Sequence, residues 1–550
     1  MAEFPWYKSY PDFVPKTIDA SIYTSIPDLV NKSVQKYSNA VAFQNMDKTL
    51  TFAEIGAMSD AFAWYCQHEL KLKKGDRIAI QMPNLMQFPI ACFGALKAGL
   101  IVVNTNPLYT PEEMQHQFKD AGAKAIVILE NFACNLEKII TQTDIEHVIV
   151  TRIGDCLGGL KGSIVNLVVK HVKKMVPAFN LPQAIAFKDC LNKAHGKKPD
   201  PVELKYEDTA FLQYTGGTTG VSKGAELTHG NICSNSIQAN AYIGGLFENG
   251  KDTIVSPLPL YHIFALLVSI KFFESGNRNI LITNPKDLKA YLKDLIKNEF
   301  HVLTGVNTLF NAMVNHSDID KVDFSHMKIA LGGGMAVQDA VAKKWEAKTG
   351  KPLLEAYGLS ETSPAATINP VDGTHRMGTI GLPIPSTDIR IFDEEGKEVE
   401  VGKPGEIGIK GPQVMKGYWN RPDETEKCFL GDYFLTGDIG IMDEDGFFRI
   451  VDRKKEMINV SGFNVYPNDI EKVIAEHPKV LEVGVRGEEV KPGKEIVKAF
   501  IVKKDESLTA DEVKAFCKEK LTNYKVPKDV VFRDELPKSN VGKILRRLLE

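Results

Sequence analysis

The chain has 550 residues, 43% hydrophobic and 25% charged, and its 67 Lys and Arg nearly balance 70 Asp and Glu for a net charge of −3. That length accommodates roughly three to four units of ~150 residues, each able to bury a core, and the composition excludes extended disorder and fibrous folds. With no basic excess to bind a phosphate backbone, no nucleic-acid partner is expected.

In chain order, the opening MAEFPWYKSYPDF lacks a basic leader followed by an apolar stretch, so no secretory signal is expected. Eight cysteines are scattered without a CxxC pair, which predicts reduced thiols in a cytosolic protein rather than a zinc ribbon or a disulfide framework. Between about 51 and 150, short β-rich apolar runs (78–80, 125–129, 147–151) alternate with a helical pattern at 111–121, the rhythm of βαβ units in a buried, mostly parallel sheet.

The segment 155–180 stands apart. Ile164, Leu167, Val168, His171, Val172 and Met175 trace one helical face, while Lys161, Lys170, Lys173 and Lys174 enrich the others. A basic amphipathic helix of this kind either lies on an anionic membrane or packs on its own domain with solvated lysines. The α/β rhythm resumes after Asp208, with strands expected at 210–214, 280–283 and 328–331. The most apolar run, 261–270, contains His262 and falls short of the ~20 residues a membrane span requires.

From 388 to 452, β runs separated by Gly and Pro turns predict a small, largely antiparallel subdomain. A compact α+β tail follows, with Thr509 and Glu512 set as a capping box opening a helix and a turn at 525–527. The expected class is α/β: a large N-terminal domain over 1–452 of αβ layers plus the β subdomain, and a small α+β C-terminal domain over 453–550.

The densest chemical signal is YTGGTTGVSKGAELTHGN at 214–231, which follows a predicted strand and gathers Thr215, Gly216, Gly217, Thr218, Thr219, Gly220, Ser222, Lys223 and Gly224. Glycines let backbone N–H groups approach oxyanions, hydroxyls donate hydrogen bonds, and the lysine adds a compact charge, which together suit a phosphate cradle. It is not a Walker A loop, because Ser222 stands where that motif requires Gly before the lysine. The alternative for such a composition is a flexible surface loop.

This loop resembles the signature loop of the adenylate-forming superfamily, which includes acyl-CoA ligases, peptide-synthetase adenylation domains and beetle luciferases. Further motifs follow in that family's order: YHIF (261–264), GGGM (332–335), EAYGLSETSP (355–364), TGD (436–438), DRKKEMINVSGFNVYP (452–467) and LPKSNVGKILRR (536–547). The resemblance spans the chain and is strongest to bacterial long-chain fatty acid:CoA ligases, notably in LPLYHIFAL, ITNPKDL, TGVNTLFNAM and GPQVMKGYW. It implies the adenylate-forming fold with a mobile C-terminal domain, and fatty acid, ATP, Mg²⁺ and CoA as reactants. It also implies a cytoplasmic enzyme, with a peripheral contact to the inner face of the cell membrane and a homodimer both compatible.

The chemistry of the residues runs parallel to that resemblance. Joining a carboxylate to a thiol is uphill until the carboxyl oxygen becomes a leaving group, so ATP is used to form acyl-AMP and pyrophosphate. Two anions must then meet, and the site needs positive charge and donors aimed at the α-phosphate. By the resemblance, Lys543 reaches from the small domain to both oxyanions; in a basic tail with Lys538, Arg546 and Arg547 it would otherwise be a solvated charge. Glu361 offers a hard oxygen ligand to Mg²⁺, with the Thr215 hydroxyl beside it.

Tyr357 offers a flat face to adenine, with the backbone of Gly332, Gly333 and Gly334 close to the base and Gly358 and Ser360 in the same nucleotide loop. Asp438 would accept from the ribose hydroxyls, and Arg453, fifteen residues on, would reinforce it or reach phosphate. His262 would line the acyl site as a positioning group, with Phe264, Val306 and Gly333. The run 263–268 with Val306, Leu309, Phe310 and Met313 would line a dry tunnel for a long chain, although such runs are usually core. Lys455 falls at the family's hinge, from which Ser461, Gly462 and Phe463 would swing toward a thioester site.

The competing expectations are the same fold acting on an aryl or medium-chain acid, or one passing its acyl-AMP to a carrier protein. A non-catalytic ATP- or lipid-binding protein belongs to a different class and is disfavoured by the intact Thr215, Lys223, Glu361, Asp438 and Lys543.

Overall fold

Along the strands Arg77–Gln81 and Ala123–Leu129, alternate side chains enter two different cores. Ile78, Ile80, Ala125, Val127 and Leu129 pack in one, and Ala79, Ile126 and Ile128 in the other. Both faces are covered, which is the usual setting of parallel strands and the reason these runs are apolar throughout. The computed structural model describes residues 4–215, 222–460, 463–491, 494–539 and 542–550.

These strands sit in an eight-stranded sheet in the order Gly417–Tyr418, Lys223–Thr228, Thr209–Thr215, Ile101–Asn104, Arg77–Gln81, Ala123–Leu129, His147–Thr151, Ile185–Ala186. Pairing is parallel except at the end that carries Lys223–Thr228 and Gly417–Tyr418. A nine-stranded sheet has parallel Thr253–Ser256, Val302–Gly305, Ile329–Gly332 and Leu353–Gly358 at its centre. The helices Phe52–His68, Gln87–Lys97 and Ile263–Glu274 contribute to one core shared by both sheets, with Phe43 and Leu281 from one and Ile78 and Val102 from the other.

The helix Pro111–Ala121 has the expected bounds for visible reasons. Thr110 and Glu113 form a reciprocal capping box, Pro111 occupies the first turn, and Gly122 closes the helix in the left-handed region at φ 60°. Two expected strands are displaced. The run expected at 280–283 is the strand Arg278–Leu281, because Arg278 and Asn279 pair in register with Thr253 and Ile254 despite their polarity. The run expected at 328–331 is Ile329–Gly332, while Lys328 points its amine at Asp252.

Asp388–Phe392, Gly405–Lys410, Phe429–Leu430, Tyr433–Met442 and Phe448–Arg453 form a five-stranded antiparallel sheet. Beyond it, the hairpin Ile458–Val460 and Phe463–Val465, the helices Pro467–Ala475 and Ala510–Lys520, and a three-stranded sheet enclose a core of their own built on Ile470, Ile474, Val485, Ala499, Ile501 and Val513. The expected capping box is half made: Thr509 accepts from the Glu512 N–H, but the Glu512 carboxylate turns to Lys479.

The amphipathic segment forms the helix Gly159–Leu167, continued by a wider-wound turn over Val168–Val172. It rests on its domain through Gly162, which approaches the Gly154 carbonyl, and through Val169. Its apolar stripe does not pack inward: Leu160, Ile164, Leu167, Val172 and Met175 are all more than half exposed. No helix among the described residues is long and apolar enough to cross a membrane.

Candidate functional site

One cavity of about 2110 Å³ is lined by residues of the large domain and of the small C-terminal unit together. Thr215 and Lys223 line it as cross-strand partners, the last residue of Thr209–Thr215 and the first of Lys223–Thr228, with the Ser222 hydroxyl donating to the Thr215 carbonyl at 2.9 Å. Gly216, Gly217, Thr218, Thr219 and Gly220 lie outside the described residues. Lys223 already holds an anion: its Nζ is 2.6 Å from Glu424 Oε2 and 4.8 Å from the centre of the Tyr418 ring. Hydrogen bonds from Lys223 and Lys427 hold the Glu424 carboxyl down at about 2.

Glu361 sits on the short turn Ser360–Thr362, buried, and accepts from the Tyr418 hydroxyl at 2.8 Å. Burial pushes its carboxyl above the usual range, against the pull of the Tyr418 hydrogen bond. Among the described residues no group of three or more His, Cys, Asp or Glu gathers to cage a metal. A single buried carboxylate and a threonine hydroxyl lining the same cavity suit Mg²⁺, which keeps waters and substrate phosphates as its other ligands.

Tyr357, on Leu353–Gly358, donates from its hydroxyl to Asp438 Oδ2 at 2.7 Å. Asp438 and Arg453 face each other across adjacent strands, Arg453 Nε lying 3.1 Å from Asp438 Oδ1. Asp438 is 4% exposed with both oxygens engaged, and Tyr357 and Arg453 line the cavity. Burial and the neighbouring carboxylate together drive the Tyr357 phenol well up, so it stays neutral.

Gly333 and Gly334 line the cavity, whereas Gly332 lies in the strand, where a Cβ would meet Val337 at 2.6 Å. At Gly333 a Cβ would press on the Phe264 ring at 3.0 Å, and Gly334 takes φ +77°, so both positions favour glycine. Gly358 and Ser360 also line the cavity.

His262 caps the helix Ile263–Glu274, its Nδ1 accepting from the Phe264 N–H at 3.4 Å. Burial drops its imidazole to about 4, so it is neutral at pH 7 with its proton on Nε2. Phe264, Leu267, Val268 and Val306 line the same cavity. Leu309, Phe310 and Met313 do not: Phe310 and Met313 pack in a separate core that includes Trp345, because their helix turns that face away.

Lys543 is brought into the cavity, where burial and the adjacent Arg453 lower its pKa. The Thr308 hydroxyl secures its loop by donating to the Gly542 carbonyl at 2.9 Å. Lys455, on Lys454–Glu456, lines the cavity too and is lowered by burial and Arg453. Phe463 is 54% exposed and stacks on Tyr524 away from the cavity; Ser461 and Gly462 lie outside the described residues.

Sequence reasoning did not single out Tyr418, Glu424 or Arg546. Tyr418 lies within GPQVMKGYW, but nothing local ties it to Glu361, 57 residues away. Arg546, far from being a solvated tail charge, is only 12% exposed at its side chain and bonds Asp452, Glu456, Glu471 and Asn468.

Residues 30–419 match the AMP-binding enzyme family, and residues 469–543 match the AMP-binding enzyme C-terminal domain. The chain is 55% identical over 548 residues to a long-chain-fatty-acid–CoA ligase of Yersinia pestis, covering 99% of this chain and 97% of that one. It is 53% identical over 545 residues to a protein of the same name from Escherichia coli O6:H1, with the same coverage. The solved structure of ATP-bound MatB from Rhodopseudomonas palustris superposes with a TM-score of 0.81 at 28% identity, over 95% of this chain and 98% of that one. The chain belongs to the AMP-binding enzyme family.

Proposed function

We propose that the protein is a long-chain-fatty-acid–CoA ligase that activates a fatty acid with ATP to acyl-AMP and pyrophosphate, then transfers the acyl group to CoA. The observation that carries this reading is the single cavity in which Lys543, Glu361, Thr215 and Lys223 share walls with His262, Phe264 and Val268. A nucleotide-binding surface and an apolar slot are thus continuous, as an acyl adenylate requires.

In the first step Lys543 lies between carboxylate and α-phosphate and offsets their repulsion as the new bond forms. Its depressed pKa rises again once phosphate is bound, because an adjacent anion favours the charged form. His262 donates from Nε2 to the acid's carboxyl oxygen; with a pKa of about 4 it positions the acid rather than removing a proton. Tyr357, fixed by Asp438, provides the adenine wall, and the Asp438–Arg453 pair faces the ribose. Mg²⁺ would be held by Glu361 and Thr215 and supplies charge neutralisation to the triphosphate.

For the second step the small domain turns about Lys455, withdrawing Lys543 and bringing the loop with Ser461, Gly462 and Phe463 to the acyl carbonyl. The exposed position of Phe463 supports this, because a ring stacked on Tyr524 at the surface is free to be presented elsewhere. Fatty acid arrives from membrane, on which the apolar stripe of Gly159–Leu167 and the turn after it lies, with Lys170, Lys173 and Lys174 meeting anionic headgroups.

The test is CoA-dependent AMP release across straight-chain acids from short to long, with benzoate and cinnamate as controls. Turnover should favour long chains and leave the aryl acids near background. Preferential turnover of benzoate, or pyrophosphate release with no thioester formed when CoA is supplied, would overturn the reading.

A further inference from the structure

The helix Ile263–Glu274 presents Phe264, Leu267, Val268, Lys271 and Phe272 to the cavity, a spacing of three and four residues that keeps them on one face. At 1.5 Å per residue, Lys271 lies roughly 13 Å along the axis from His262, where the acid's carboxyl group is placed. The cavity wall here is otherwise mainly apolar, with Ile243, Val302, Ile329 and Leu331 beside Thr304.

Lys271 is 1% exposed, and its Nζ has no hydrogen-bond partner among the described residues. It lies 4.2 Å from the Phe272 ring centre and 4.8 Å from that of Phe247. The carboxylates that act on it are committed elsewhere. Glu274 accepts from the Tyr23 and Ser236 hydroxyls, and Asp252 faces Lys328 and His301. An ammonium has three donors to satisfy, and two ring faces satisfy none of them fully. Burial brings its pKa down only to about 8, so at neutral pH the group is mostly charged.

We propose that Lys271 forms a distal polar subsite that takes an oxygen function, a carboxylate or hydroxyl, near the far end of the acyl chain. The inference rests on the ligase reading above and extends it to ω-oxygenated fatty acids as a substrate class. A buried donor left unpaired by a plain methyl terminus and paired by an oxygen discriminates between the two, because the unpaired state is the costly one.

The experiment compares kcat/KM for length-matched plain, ω-hydroxy and α,ω-dicarboxylic acids in the full chain, in Lys271→Met and in Lys271→Gln. In the unaltered protein the oxygenated acids should be turned over. Their kcat/KM relative to the plain acid should fall roughly ten- to a hundredfold in Lys271→Met, mainly through KM. Lys271→Gln, which keeps a donor, should recover part of that ratio. Competition by dicarboxylic acid against plain-acid turnover in the unaltered protein provides a second measurement should Lys271→Met not fold.

A ratio unchanged by Lys271→Met, or failure of oxygenated acids either to react or to compete, overturns the subsite while leaving the ligase reading intact. Absence of plain-acid turnover in the unaltered protein overturns the ligase reading itself.

Discussion

On the proposed mechanism Lys543 carries the heaviest single demand in the site, where it lines the cavity and feels both Arg453 and Asp438. Lys543→Ala should slow acyl-AMP formation by about a hundredfold or more, the scale of losing a donor aimed at developing charge. ATP binding should remain, and near-normal pyrophosphate release would sink the assignment. Since burial and Arg453 lower its pKa in the empty site, kcat/KM for ATP, which reports the free enzyme, should decline with rising pH earlier than an exposed lysine would allow. A second residue-scale prediction concerns Tyr418, whose hydrogen bond favours the charged form of Glu361. Tyr418→Phe removes that support, raises the Glu361 pKa further and moves the acidic limb of kcat/KM for ATP to higher pH; an unmoved limb would show that Tyr418 serves packing alone. Lys543, Glu361 and the Asp438–Arg453 spacing were visible in the sequence because they lie in recognisable motifs. Tyr418 and Glu424 were not, because Glu361 and Lys223, which they meet, are distant in sequence, and Lys271 was not, because a sequence does not show that a lysine is left without a hydrogen-bond partner.

At the scale of elements, the exposed stripe of Gly159–Leu167 makes a direct prediction. Leu160→Glu with Leu167→Glu should abolish flotation with vesicles containing anionic lipid. It should alter folding stability by no more than about 0.5 kcal/mol per site, since both side chains already face solvent. Binding that persists in this variant would remove the helix as the contact. The helix Pro111–Ala121 was legible to its last residue because its stop and start signals are local. The strand Arg278–Leu281 was not, since its first two residues are polar and owe their place to pairing with Thr253–Ser256. The exposure of the amphipathic stripe also lay beyond the sequence: periodicity identifies a face but not what covers it.

For the whole molecule, the decisive object is the junction that delivers Lys543. Polar contacts between the large domain and the small unit include Lys472 with Asp339, Lys454 with Glu406, and Asn311 with the Leu481 carbonyl. The two ion pairs are partly exposed and hold weakly, which suits the turn proposed for this unit between half-reactions. Arg546 bonds Glu456 and Glu471 within the unit and Asp452 at the end of the large domain, and so fixes the segment that carries Lys543. Arg546→Ala leaves buried carboxylates uncompensated and should cost about 3–5 kcal/mol, measurable as a lower melting temperature. Burial already raises the pKa of Asp452 and Glu471, so the defect should be largest at neutral pH and shrink on acidification, as the carboxyl groups take up protons. A defect independent of pH would mean that Arg546 acts through shape and not charge.

On the proposal that Lys223 binds the nucleotide, its ion pair with Glu424 makes arrival of a nucleotide an exchange of one anion for another. The amine never stands bare, so a stray phosphate or chloride must evict a tethered resident, whereas a triphosphate brings enough oxygens to do so. On the same proposal the displaced carboxylate, still on its short helix Pro422–Lys427, would act as a caretaker that returns when the products leave.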